Sequence, residues 1–144
     1  MTTPAKLQRI VELFAAAPRE VKLQALLDYS RRVPPLPPNL AGRPELFEKV
    51  DECQSPFLLK AEVAEDGIVT VFFDAPAEAP TTRGYAGILA EGLAGATAEE
   101  ILAMPSDFYA GLGLSDVITP LRLRGMGAIV TRLKRQVREQ VEVS

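Results

Sequence analysis

The sequence predicts an α+β fold in which a small antiparallel sheet packs against helices. Three observations carry this. Asp66-Gly67 separates two apolar runs, Phe57–Val63 and Ile68–Phe73, and the second is rich in β-branched and aromatic residues, which is a hairpin signature. Apolar residues recur at helical spacing both before and after that hairpin. The resulting order is two helices, two or three strands and then four helices, with no internal repeat. With 144 residues and 47% hydrophobic content, one domain spanning 1–144 is expected to bury a core without staples.

The elements follow in order. Thr3-Pro4 predicts an N-cap and a first-turn proline for a helix over 4–17, with Leu7, Ile10, Val11 and Phe14 on one face. Pro18 ends it. Val21, Leu23, Leu26, Leu27 and Tyr29 then predict a second helix to about Arg32, making an αα-hairpin. In Val33-Pro34-Pro35-Leu36-Pro37-Pro38-Asn39 four of seven residues lack an N–H, so the segment reads as an extended connection wrapping the domain. After the hairpin, Pro76 and Pro80 are read as breaks before a helix over 82–94 carrying Tyr85, Ile88, Leu89 and Leu93, with Gly95 as its stop. Thr97-Ala98-Glu99-Glu100 is a capping box for a short helix ending near Met104, and Ser106–Tyr109 opens a further helical turn. Thr119-Pro120 repeats the N-cap-plus-proline signature for a helix over 120–139, with Leu121, Met126, Ile129, Val130, Leu133 and Val137 inward. Gly125 and Gly127 each cost that helix about 1 kcal/mol relative to Ala, which points to close approach by a neighbour such as the hairpin.

Composition removes whole classes of chemistry. The chain has no histidine, so it has no Ser-His or Cys-His nucleophile pair, no histidine metal ligand and no histidine base. A single cysteine excludes an internal disulfide, a Cys₄ or Cys₃His zinc site and an iron–sulfur cluster held by one chain, so no metal site is expected. Thr82-Arg83-Gly84-Tyr85-Ala86-Gly87 lacks the context of a phosphate loop and reads as a helix start. The net charge of -3 argues against nucleic-acid binding. Its distribution is uneven: residues 1–44 carry +4, residues 45–118 carry -11 and residues 119–144 carry +4. That pattern serves internal attraction or steers a charged partner, against a default of solvated faces. No signal-peptide pattern and no run of about 20 apolar residues is present, so no membrane association is expected. A lone thiol then points to the reducing cytoplasm.

Cys53 is the one residue with distinctive chemistry. Lone cysteines are often small core fillers. This one sits between a loop and a strand with Asp51, Glu52, Gln54 and Ser55 around it, and Pro56 stiffens the exit, so it reads as a presented thiol. The thiolate is the reactive form, and Asp51 and Glu52 oppose it by like-charge repulsion. Reactivity therefore needs backbone N–H groups or a folded-in cation.

Glu52-Cys53-Gln54-Ser55 followed by an apolar strand and hairpin resembles the ECQS/GCQS motif of the SufE family of sulfur-acceptor proteins. Ile118-Thr119-Pro120-Leu121-Arg122-Leu123-Arg124-Gly125-Met126 resembles that family's L-T-P-x-R-x-x-G-[LM] segment and sets its arginine at Arg122. Gly87-Ile88-Leu89 is similar to the GL pair of the family's central helix. One departure is Pro80-Thr81, where many members carry Ser-Asp. The resemblance implies a SufE/IscU-like fold and a partnership with a pyridoxal-phosphate (PLP) cysteine desulfurase. It implies that Cys53 accepts persulfide sulfur, stimulates that enzyme and passes sulfur to an iron–sulfur scaffold complex. Glu52, Gln54, Ser55 and Arg122 would support it, Arg122 as a cation near the cysteine loop that offsets Asp51 and Glu52 or lowers the thiolate pKa. The protein is then no independent enzyme, carries no cofactor of its own because PLP resides on the partner, and is a monomer or weak homodimer. By resemblance, the loop tucks the thiol into an apolar cavity when free and swings out on docking. Transfer between sulfurs needs a thiolate and no histidine, which a histidine-free chain satisfies.

Three other readings stand beside this one. A single-cysteine peroxidase or redox sensor also needs only one thiolate. A cluster scaffold would require several cysteines. A plain binding module would treat Cys53 as incidental and Arg122 as a surface charge.

Overall fold

Caps and prolines set the helix boundaries in the computed structural model, which describes residues 2–53 and 55–143. Helix α1 (Ala5–Ala16) buries Leu7, Ile10, Val11 and Phe14, as the spacing predicts. Its start differs from expectation. Pro4, with extended backbone, occupies the cap position and no side chain caps the helix, so Thr3 is not the N-cap. Helix α2 (Arg19–Ser30) buries only Leu26 and Tyr29. Val21, Leu23 and Leu27 are exposed: Val21 and Leu27 lie off the face of the buried pair, while Leu23 shares the side of Leu26 one turn earlier but stays uncovered.

The sheet has three antiparallel strands in the order β1-β2-β3. Strand β1 (Glu48–Lys49) is two residues long and pairs Glu48 with Leu59 and Lys49 with Leu58. Strands β2 (Leu58–Val63) and β3 (Val69–Asp74) form the predicted hairpin, Leu59 opposite Phe73 and Val63 opposite Val69. Gly67 makes its turn at φ +85, a conformation that favours glycine. Leu59, Ala61, Val69 and Phe73 share one face and are buried there. The helices cover that face.

Helix α3 (Pro80–Gly92) starts two residues earlier than expected, since Pro80 is its first residue rather than a break. It is the central helix: Tyr85, Ala86, Ile88 and Leu89 are all fully buried. A Cβ at Gly87 would overlap the carbonyl oxygen of Tyr29, so glycine there lets α3 lie directly on α2. Helix α4 (Ala98–Ala103) carries the predicted reciprocal capping box between Thr97 and Glu100. The turn after it is a 3₁₀ helix over Phe108–Leu112, whose Phe108 stacks on Tyr85 with centroids 5.8 Å apart. Helix α5 (Pro120–Val143) runs four residues beyond the expected end. Thr119 caps it through Oγ1, which accepts the Arg122 N–H at 3.4 Å. Met126, Ile129, Val130, Leu133 and Val137 point inward as expected, but Leu121 in the first turn is exposed.

One feature of α5 was not expected. Strand β1 ends after two residues, which leaves the far edge of β2 without a strand partner. Two glutamines of α5 fill that edge. The Ala61 N–H donates to Gln136 Oε1 at 2.8 Å, the Val63 N–H donates to Gln140 Oε1 at 2.9 Å, and Gln140 Nε2 donates to the Ala61 carbonyl at 2.7 Å. The helix thereby supplies the hydrogen bonds of a missing strand and is fixed in register against the segment that follows Cys53.

Candidate functional site

Residues 50–57 connect β1 to β2 and carry Cys53 at their tip. The base of this loop is closed by the Val50 N–H donating to the Phe57 carbonyl at 2.9 Å, with both side chains buried. The Cys53 N–H returns to the Val50 carbonyl at 3.2 Å, which tightens the turn. The thiol is thus presented by a short loop whose two ends are anchored in the core.

The surface beneath it is Gly125 of α5. A Cβ built at Gly125 would stand 3.3 Å from Cys53 Sγ and 3.4 Å from the Glu52 carbonyl oxygen. The glycine cost noted above therefore answers to the cysteine loop, not to the hairpin. Gly127 leaves room for the ring of Tyr109, where a Cβ would approach within 3.2 Å.

Cys53 opens onto a cavity of about 10 Å³, walled by Tyr85, Met126 and Ile129 and rimmed by Thr81, Thr82 and Arg122. This is room for about one water-sized group. The apolar wall comes from α3 and α5, and the hydroxyls come from the first turn of α3. Burial, with a smaller push from the Glu52 carboxylate and against the opposing charge of Arg132, raises the Cys53 thiol to about 11. Burial also holds the Tyr85 phenol far above its usual range. The resting thiol is protonated and half-buried.

The structure brings several of the predicted residues to this place. Cys53 and Arg122 border one cavity. Ser55 Oγ lies 3.5 Å from Thr82 Oγ1, joining the loop to the start of α3. Gln54 lies outside the described residues. Glu52 turns away from the cavity and pairs with Arg132, whose Nη1 is 2.8 Å from Glu52 Oε1. The cation that offsets Glu52 is therefore Arg132, not Arg122 as expected, while Asp51 lies 3.9 Å from Lys49. Arg132 was missed because only a helical face shows it: Gly125, Ile129 and Arg132 stand at i, i+4 and i+7 along α5. No helix among the described residues is long and apolar enough to cross a membrane.

Comparison with known proteins agrees with this geometry. The family model SufE, described as an Fe-S metabolism associated domain, matches residues 8–137. An uncharacterized SufE-like protein of Mycobacterium tuberculosis is 48% identical over 136 residues, covering 94% of each chain. A cysteine desulfuration protein SufE of Plasmodium vivax is 28% identical over 132 residues, covering 90% of this chain and 51% of that one. The solution structure of a hypothetical protein from Thermus thermophilus superposes with a TM-score of 0.86 at 44% identity, covering 98% of this chain and 99% of that one. With a family match over nearly the whole fold, the loop that carries Cys53 included, this chain belongs to the SufE family.

Proposed function

We propose that this protein accepts sulfur from a cysteine desulfurase onto Cys53, stimulates that enzyme and hands the sulfur to iron–sulfur cluster assembly. The observation that carries the reading is the placement of the chain's single thiol at an apolar cavity with room for about one further atom-sized group. The Cys53 thiolate attacks the outer sulfur of the desulfurase persulfide. One S–S bond forms at Cys53, the donor's S–S bond breaks, and the donor cysteine leaves as its thiolate, with no net oxidation. A sulfur bonded to Sγ would then face Tyr85, Met126 and Ile129, away from bulk solvent.

The raised thiol pKa sets a condition on this step. With a pKa of about 11, roughly one thiol in ten thousand is ionised at neutral pH. Movement of the loop out of the cavity removes the burial that causes most of this, so acceptance is coupled to docking. The same observation gives no support to a peroxide-reducing thiol, which needs a stabilised thiolate at rest. We also assign the protein to a reducing compartment, the cytoplasm, where a lone thiol persists.

The test incubates wild-type and Cys53→Ser protein with a PLP-dependent cysteine desulfurase and L-cysteine. Wild type is expected to gain the mass of one sulfur at Cys53, removable by dithiothreitol, and to raise desulfurase turnover. Cys53→Ser is expected to do neither. An unmodified wild type, or a serine variant that stimulates as well as wild type, would overturn the assignment.

A further inference from the structure

Backbone bonds fasten the base of the cysteine loop and turn its tip back on Val50, but among the described residues it is side chains that tie the tip to the helices. Glu52, the residue immediately before Cys53, reaches α5 with a short charge-assisted contact, 2.8 Å to Arg132 Nη1. Arg132 is prepared for this contact. Its Nε is held 3.3 Å from Glu48 of β1, and its side chain is 21% exposed against 48% for that of Glu52. The same stripe of α5 that lies beneath Sγ at Gly125 and walls the cavity at Ile129 thus also grips the neighbour of the cysteine.

We infer that Arg132 is a positioning residue for Cys53, tethering the cysteine loop to α5 through Glu52 so that loss of the pair frees the thiol from its cavity. As a step in sulfur acceptance this rests on the function proposed above. As a property of the thiol it stands alone. Glu48 keeps Arg135 and a 2.9 Å bond from Gln136 when Arg132 is replaced, so β1 stays clasped to α5 and the effect is confined to the tip.

The tether and the simple charge of Arg132 predict opposite signs. Arg132 opposes the upward push on the thiol, so removing its charge alone would slow alkylation. Removing a tether would speed it. The experiment measures Cys53 alkylation by iodoacetamide, an uncharged reagent, at one near-neutral pH on the full chain, with hydrogen exchange of the Cys53 amide followed alongside. Arg132→Gln is expected to alkylate about fivefold faster, the change expected for losing a partly exposed ion pair. Arg132→Lys should recover part of the slow rate. Adding Glu52→Gln to Arg132→Gln should release no further tether, because both break one contact, and should add only the rise that comes from removing the carboxylate's own push on the thiol. Faster exchange of the Cys53 amide is expected in either single variant, and that readout serves if Arg132→Gln lowers the melting temperature. Alkylation of Arg132→Gln at the wild-type rate or slower, or an unchanged Cys53 amide in Glu52→Gln, would overturn the tether. Persulfide formation with a desulfurase is scored separately. Faster alkylation with no persulfide in any variant sinks the sulfur-acceptor reading alone, and normal persulfide with unchanged alkylation sinks the tether alone.

Discussion

At Gly125 two residue-scale effects of opposite sign meet. Replacing glycine by alanine inside a helix stabilises it by about 1 kcal/mol. The new methyl would stand 3.3 Å from Cys53 Sγ and 3.4 Å from the Glu52 carbonyl, tighter than side chains normally pack, so one partner has to yield. The helix is fixed along its length by Met126, Ile129, Leu133 and Val137, whereas the described residues of the cysteine loop are held by backbone bonds at its base and by individual contacts at its tip. The loop yields. Gly125→Ala is therefore expected to keep or slightly raise the melting temperature while making Cys53 more reactive to alkylation, and a variant with a lowered melting temperature and an unchanged thiol would show that the helix gave way instead. Cys53 itself was legible from its polar neighbours and motif. Arg132 was not, because an arginine in a basic helix has no local mark, and only the distance to Glu52 across 80 residues of chain distinguishes it.

Among the elements, the hairpin and the capped helices were legible because each has a local cause: a glycine turn, a capping box, a proline at the first helical position. Strand β1 was not, since two residues carry no period. Its shortness has a consequence that the helical pattern of α5 also hides. Gln136 and Gln140 look like ordinary solvent-facing positions, yet they satisfy the N–H groups of Ala61 and Val63 and the carbonyl of Ala61 at the edge β1 leaves open. A buried backbone group without a partner costs about 1–3 kcal/mol, reduced here by partial exposure. Gln136→Ala with Gln140→Ala is expected to destabilise the fold by about 2–4 kcal/mol in denaturant titration. Amide exchange at Ala61 and Val63 should accelerate more than at Val71 on β3. Uniform acceleration across the sheet would mean that the glutamines support global stability without closing this edge.

Across the whole molecule, the uneven charge distribution resolves into contacts between its segments. The acidic middle meets the basic C-terminal helix at Glu48–Arg132, Glu52–Arg132 and Glu48–Arg135, and meets the basic N-terminal segment, in the turn after α2, at Arg32–Glu91. Internal attraction is thus realised, and it is concentrated where β1 and the cysteine loop lie on α5. Added salt screens partly exposed pairs while leaving apolar packing intact. Global stability rests on the buried core and should change little with sodium chloride. Among the described residues, the Glu52–Arg132 ion pair is the charged contact between the tip of the cysteine loop and α5, so the response of the tip should be larger. Iodoacetamide alkylation of Cys53 is expected to rise about twofold between low and high sodium chloride in the wild type and to stay flat in Glu52→Gln, where no pair remains to screen. An equal rise in both proteins would assign the effect to a general loosening of the fold. A rise in the wild type alone would separate the loop from the body that holds it, with the core stable under the same salt that releases the thiol.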